Sequence, residues 1–256
     1  MSILAQLIHS SDEGIVEHVL WCFNYISEEG DNERVAAVCN VGVIPKTVKL
    51  LLKTKNERIA ELAFKLCGNI ALGSCEKIEI LLEHGFLNIL SNNIESRTKR
   101  RRKETCWVIC NIAAEKVLLE KLFQSDILTK TISVMQKDDL EVRIEATHII
   151  KNVLDNCDNE QLEQLMKRDL IGILLRNSEM HNPVALIDVS LDVLRKILHH
   201  GNTLLEAGSH KLNVYTKQIF EINGNVVLEK LQKHPNPTIY DKIVKLFDDY
   251  FTFDVV

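Results

Sequence analysis

The sequence predicts an all-α fold in which helical repeats stack into a solenoid, and three observations predict it. Glycine and proline are scarce, 10 and 4 in 256 residues, under half of average usage at this length, so elements are long and rarely interrupted. The apolar residues recur with helical spacing throughout. The third observation is internal self-similarity. Leu62-Ala63-Phe64-Lys65-Leu66-Cys67-Gly68-Asn69-Ile70-Ala71 aligns with Glu104-Thr105-Cys106-Trp107-Val108-Ile109-Cys110-Asn111-Ile112-Ala113. Both align with Glu145-Ala146-Thr147-His148-Ile149-Ile150-Lys151-Asn152-Val153-Leu154, and looser copies lie at 19–26 and 189–197.

Two independent markers keep the same period. Trp21, Lys65, Trp107, His148 and Asp192 follow one another at 44, 42, 41 and 44 residues. Turn-like residues at Gly42, Gly85, Asp126 and Asp169 follow at 43, 41 and 43. A period of roughly 40–47 residues with helical patterning alone is that of armadillo or HEAT units. Each unit reads as a short helix (Glu76 to Glu83), a turn at His84-Gly85, a second helix from Phe86, a polar link, and a longer third helix. Glycine suits a left-handed helix stop, and Pro45 suits a helix start, where its missing N–H costs little. About five repeats fill residues 1–200. Residues 201–223 break the period and read as an irregular connection, and 224–256 read as a final partial repeat serving as C-terminal cap. No unit buries its own apolar face, so stacking is obligatory.

Composition narrows the function classes. Lys+Arg 31 against Asp+Glu 36 gives a net charge of −5, a poor match to nonspecific nucleic-acid binding. No run of about 18 apolar residues predicts a membrane span, and no basic segment followed by an apolar one opens the chain. The 7 cysteines are scattered and odd in number, which fits reduced thiols better than a disulfide framework. Cys106 and Cys110 lie one turn apart without a second ligand pair, so no metal or other cofactor is expected. No P-loop, GxSxG or HExxH is present, and no enzyme is expected.

The chemistry lies in the third helices. Four residues after each marker stand Tyr25, Asn69, Asn111, Asn152 and Lys196. Residues i and i+4 share a helix face, so Trp107 projects with Asn111, Lys65 with Asn69, and His148 with Asn152. Asparagine disfavours helix interiors, and its recurrence at one phase has two readings. In one, the carboxamides bond to neighbouring helices or cap turns. In the other, they clasp the N–H and C=O of an extended peptide. Stacked helices about 10 Å apart match three extended residues at about 3.3 Å each. Indoles beside such a ladder hold aliphatic stems that end in cations. Glu104 and Glu145, three residues before Trp107 and His148, favour Lys or Arg there.

Trp-x-x-x-Asn in Glu104-Thr105-Cys106-Trp107-Val108-Ile109-Cys110-Asn111-Ile112 resembles the armadillo repeats of the importin-alpha family, adaptors that bind nuclear localisation signals. Leu20-Trp21-Cys22-Phe23-Asn24-Tyr25-Ile26-Ser27 is similar to a middle repeat of that family with Tyr at the Asn position. Lys65 stands where the following repeat carries a basic residue, and Leu228 through Phe251 is similar to the final repeat. The resemblance covers the C-terminal half of a ten-repeat protein. It implies a right-handed armadillo solenoid (an α-α superhelix). It also implies a minor signal-binding site at Lys65, Asn69, Trp107, Asn111, His148 and Asn152, with Glu104 and Glu145 as acidic partners and Trp21 and Tyr25 preceding them. The implied partners are proteins with basic localisation signals and the export receptor that recycles importin-alpha. The repeats of the major site and the segment that docks on importin-beta are expected to be absent. The implied location is cytoplasm and nucleus.

There are departures from the family pattern. His148 replaces a Trp, Asp192 and Lys196 break the ladder, and His18 stands where the family has an acid. They favour a second reading, an armadillo scaffold or regulatory paralogue that does not support import alone. The basic run Arg97-Thr98-Lys99-Arg100-Arg101-Arg102-Lys103 reads either as an inter-helix link with a first helical turn or as a localisation signal in its own right. Leu4, Leu7 and Ile8 are expected to form an exposed apolar end.

Overall fold

The computed structural model describes residues 1–28, 32–206 and 213–251. The described residues form seventeen α-helices and no strand. They divide into two compact units, Met1–Ile127 and Leu128–Val256.

The first unit opens with α1 (Ser2–Leu7) and α2 (Glu13–Ser27). Two complete three-helix repeats follow: α3 (Asn32–Asn40), α4 (Ile44–Lys53) and α5 (Glu57–Ile70), then α6 (Cys75–Glu83), α7 (Phe86–Asn93) and α8 (Lys99–Ala113). A short turn at 116–118 leads into α9 (Leu119–Phe123). The second unit holds α10 (Ile127–Lys137) and α11 (Leu140–Asn156). Next come α12 (Asn159–Met166), α13 (Leu170–Asn177) and α14 (Val184–Glu206), and last α15 (Val214–Glu221), α16 (Gly224–Leu231) and α17 (Pro237–Tyr250). Helices α2, α5, α8, α11, α14 and α17 are the long third helices.

Local sequence explains the boundaries. Asp12, Asn56 and Asn236 cap α2, α5 and α17 by accepting from backbone N–H groups of the first turn, a bond that stabilises a helix by about 1 kcal/mol. Pro237 opens α17, and Pro45 lies in the first turn of α4. The turn before the second helix requires a left-handed residue. Gly42 supplies it at φ 74° and Gly85 at φ 90°, where a side chain would be strained. Asn223 takes the same role before α16 at φ 55°, asparagine being among the few other residue types that visit this region. Helices α3 and α4 therefore meet at 78° across Gly42. No single helix among the described residues is long and apolar enough to cross a membrane.

Each unit has a continuous apolar core. In the first, Phe23, Phe64 and Phe86 are buried, and the rings of Phe64 and Phe86 stand 6.0 Å apart. Helix α5 is buried on nearly every side between its neighbours. Burial of a side chain this size stabilises by about 1.5–3 kcal/mol. In the second unit α14 is the hub, packing against α11, α13, α15 and α17, and Leu170 to Leu175 of α13 are all buried.

Two expectations are revised. By period, residues 201–223 are expected to be an irregular connection. The chain is helical through Glu206 and again over Val214–Glu221, leaving 207–212 outside the described residues. Buried Asn213 donates to the Leu198 carbonyl and the Asn202 side chain while capping α15, so these polar residues sustain helices rather than end them. The final unit thus gains α15 as a first helix before the cap. At the opposite end, Ile8 is fully buried, Leu4 is half-buried, and Leu7 remains exposed with Ile3.

A polar stitch joins the third helices of the first unit. Asn24 of α2, 1% exposed, donates to the Leu62 carbonyl of α5 at 2.9 Å and to Leu20 at 2.9 Å. Asn69 of α5 donates back to Ser27 Oγ at 3.1 Å. Such bonds fix rotation and register where apolar contacts alone would permit sliding. Asn24→Ala should cost about 1–3 kcal/mol of stability, measurable as a lower urea midpoint. A midpoint equal to that of the unmutated chain would show the stitch to be idle.

Candidate functional site

The motif residues fall on both units, and each unit carries its own part. In the first, the third helices α2, α5 and α8 enclose a cleft of about 360 Å³. Trp21, Lys65, Asn69, Glu104 and Trp107 all line it. Tyr25 and Asn111 belong to the same helices and are not in its wall. Tyr25 is 78% exposed.

Helical phase delivers these side chains, and a glycine determines how one lies. A Cβ on Gly68 would meet Trp107 Cζ3 at 3.1 Å and Val108 Cγ2 at 3.3 Å. The missing side chain lets the Trp107 indole approach α5 closely with 37% of the residue still exposed. Both tryptophans are therefore half-open faces, although an indole is ordinarily core material.

The carboxamides divide in role. Asn69 is 7% exposed and its NH2 is engaged with α2, which is the helix-bonding reading of the ladder. Asn111 is half-buried and its Nδ2 is buried without a hydrogen-bond partner. An unpaired buried donor is costly, so Asn111 is the ladder amide of this unit that remains to be satisfied.

The cleft contains more charge than the motif residues supply. Arg58, Glu61 and Arg100 also line it. Arg58 lies over the Trp21 ring at 5.3 Å, Arg100 Nε donates to Glu104 at 2.8 Å, and Lys65 pairs with Glu28 at 3.1 Å. The hydrogen bond and charge of Glu104 raise the Arg100 pKa. Sequence reasoning missed Arg58, Glu61 and Arg100, yet a signal exists. Arg58 and Arg100 stand seven residues before Lys65 and Trp107, and Glu61 stands four before Lys65, all on the marker stripe of a 3.6-residue helix.

The basic run 97–103 forms the link and first turn of α8. Arg101 turns inward over the Phe64 ring at 4.3 Å, and burial lowers its pKa. Arg102 donates to the Ser96 and Arg97 carbonyls. In the folded chain the run is partly packed and helical, so it is not an extended segment for a receptor to read.

The second unit holds Glu145, His148 and Asn152 on α11, all half-buried. The broken rung beyond them is closed by ion pairs. Lys151 lies 3.3 Å from Asp192, Lys242 of α17 lies 2.6 Å from Asp192 and 2.7 Å from Asp188, and Lys196 pairs with Asp155. Burial lowers the His148 pKa, with Glu145 opposing it, Lys151 adding to it, and Asp192 and Asp188 opposing.

Repeated three-helix units with left-handed turns and an Asn-bearing third helix define an armadillo-repeat solenoid. The comparisons agree. A computationally designed armadillo repeat protein for modular peptide recognition superposes with a TM-score of 0.83 at 22% identity, over 97% of this chain and 99% of that one. A designed armadillo repeat protein in complex with the peptide (KR)4 gives 0.81 at 23% identity, over 97% and 98%. The family model described as atypical Arm repeat matches residues 213–256.

The resemblance to importin-alpha read from the motifs is borne out. The chain is 29% identical over 256 residues to importin subunit alpha-1b of Oryza sativa subsp. japonica, covering 98% of this chain and 47% of that protein. It is 30% identical over 254 residues to importin subunit alpha-4 of Arabidopsis thaliana, covering 98% and 47%. The chain spans about half the length of the curated relatives it matches. It is an importin-alpha-like armadillo protein.

The His148 shift makes a pH prediction for the second unit. The folded imidazole titrates below its ordinary 6.5, so the unfolded chain takes up the proton first as pH falls. This group's contribution to stability is full above about pH 6.5 and is lost as pH drops towards the folded value. His200 is lowered in the same sense. His148→Gln should therefore flatten, without abolishing, the fall in melting temperature between about pH 7 and about pH 5. An unchanged slope would show that His148 titrates freely.

Proposed function

We propose that this chain is a binding protein that holds extended peptides carrying Lys or Arg, as an adaptor-like component of nuclear import, and has no catalytic role. The observation that carries this reading is the pairing on α8 of a half-exposed Trp107, seated by Gly68, with Asn111, whose amide nitrogen has no partner. The indole offers a face to an aliphatic stem, and the Asn111 amide, whose nitrogen is buried beside the cleft wall, would donate to a peptide carbonyl after rotating outward. The likeness to a designed armadillo protein bound to (KR)4 and to importin alpha subunits supports the same ligand class. Proteins with basic localisation signals are the proposed cargo, and cytoplasm and nucleus the proposed locations. Glu145, His148 and Asn152 are the proposed peptide-binding residues of the second unit.

A second reading has its own support. Asn69 is engaged with α2, and the positions of Asp192 and Lys196 are closed by Lys242, Lys151 and Asp155. A ladder with engaged rungs suits a scaffold or a regulator of longer import adaptors. Pull-downs with importin-beta and with the export receptor of importin-alpha separate an adaptor from a scaffold.

Anisotropy titration of a fluorescent basic localisation peptide tests the groove. Trp107→Ala should weaken binding about 30-fold, as expected for loss of a hot-spot aromatic. Asn111→Ala should weaken it about tenfold through loss of a backbone-directed hydrogen bond. Equal affinity in both variants, with circular dichroism unchanged, would remove the groove and leave the scaffold reading.

A further inference from the structure

We propose that Arg58 and Arg100 are specificity-determining residues that occupy two cation subsites of the first unit's groove, so that this groove admits a single Lys or Arg stem, at Trp107, in preference to a continuous cationic run. The inference rests on the reading of the cleft as a peptide site and concerns which peptides it takes.

The geometry around Arg58 is a completed guanidinium site. Its guanidinium lies over the Trp21 indole at 5.3 Å. Its Nε donates to Glu17 at 3.3 Å, and another nitrogen stands 3.8 Å from Glu61. One aromatic face and two carboxylates are what a ligand cation would need at that rung, and the chain's own arginine has them. Glu104, one turn before Trp107, is the acid expected to read a cation there. It accepts from Arg100 at 2.8 Å and lies 3.8 Å from Arg101. Among the described residues no cation stacks on Trp107, which leaves it as the open aromatic face.

Charge in the wall points the same way. Arg58, Lys65 and Arg100 outnumber Glu61 and Glu104, so the cleft is not the acidic trough that a run of cations would prefer. The two arginines are nonetheless exposed, 51% and 78% by side chain. Exposed ion pairs and exposed cation–π contacts are each weak, so the in-chain cations compete with a ligand without sealing the site.

The test titrates the full chain with two labelled peptides, (KR)4 and a neutral peptide of the same length carrying one Lys. Three variants are compared with the unmutated chain: Arg58→Gln with Arg100→Gln, Trp107→Ala, and Lys49→Gln with Lys53→Gln. The last pair removes the same charge from exposed positions of α4 outside the cleft wall. The Arg58/Arg100 variant should bind (KR)4 about tenfold tighter. The α4 variant should stay within about twofold, because distant exposed charges are screened. The single-Lys peptide should bind the Arg58/Arg100 variant within about twofold of the unmutated chain, since its stem uses Trp107. Equal (KR)4 affinity in the two double variants, with Trp107→Ala still weakening binding, would overturn this inference and leave the peptide site standing. No measurable binding of either peptide to any form of the chain would overturn both.

Discussion

A repeat of about 42 residues is too small to bury its own apolar face, and the consequences of that constraint reach the candidate site. Within each unit long third helices lie against one another, α2 on α5 in the first and α11 on α14 in the second, and the contact between α2 and α5 is fixed by more than apolar area. Asn24 reaches across to the Leu62 carbonyl and Asn69 reaches back to Ser27. A dry apolar interface tolerates rotation of one helix about its axis, whereas paired buried amides do not, because each unmade bond leaves a costly orphan. The helix phase that these amides lock is the phase that turns Trp21 and Lys65 into the cleft. Stability and presentation are thus one interaction on two faces of α5.

This arrangement gives the repeated asparagine a double meaning. At Asn69 the amide serves the stack, and at Asn111 the amide nitrogen has no partner. The two positions have the same sequence signature, an Asn four residues after the marker. Their difference comes from what the preceding repeat offers. Ser27 stands within reach of Asn69, and Gly68, one residue before Asn69, has no side chain to offer Trp107 or Asn111. The asymmetry also explains Tyr25, which occupies the ladder phase on α2 while the neighbouring Asn24 makes the buried bond.

These particulars show what the sequence could reveal. Legible features were those that depend on backbone geometry and period: the left-handed turns at Gly42 and Gly85, the proline-assisted helix starts, the 41–44-residue spacing and the exposure of Trp21 and Trp107 on one stripe. Such features follow from local sterics and from i, i+4 phase, and each needs only one helix to be read. Features that depend on two helices at once were not legible. That Arg58 stacks on Trp21, 37 residues earlier, is set by how α5 packs on α2. That Asn213 sustains α15 rather than breaking the chain is set by the Leu198 carbonyl. Polar residues inside a helical pattern look like interruptions until their long-range partner is known.

The same logic bears on how degraded the ladder is. From sequence, Asp192 and Lys196 read as losses, positions where an aromatic and an amide have been replaced. In the second unit they are joined by Lys151, Lys242 and Asp155 into a network that spans α11, α14 and α17. Replacing one member of such a network with a ligand-reading residue would leave its partners unpaired and half-buried, which costs more than the single contact is worth. In the first unit the cations beside the motif, Arg58 and Arg100, are themselves exposed, while their carboxylate partners are part-buried like those of the second unit. The two units carry related motifs and differ in the cations beside them, exposed at Arg58 and Arg100 and half-buried at Lys151, Lys196 and Lys242.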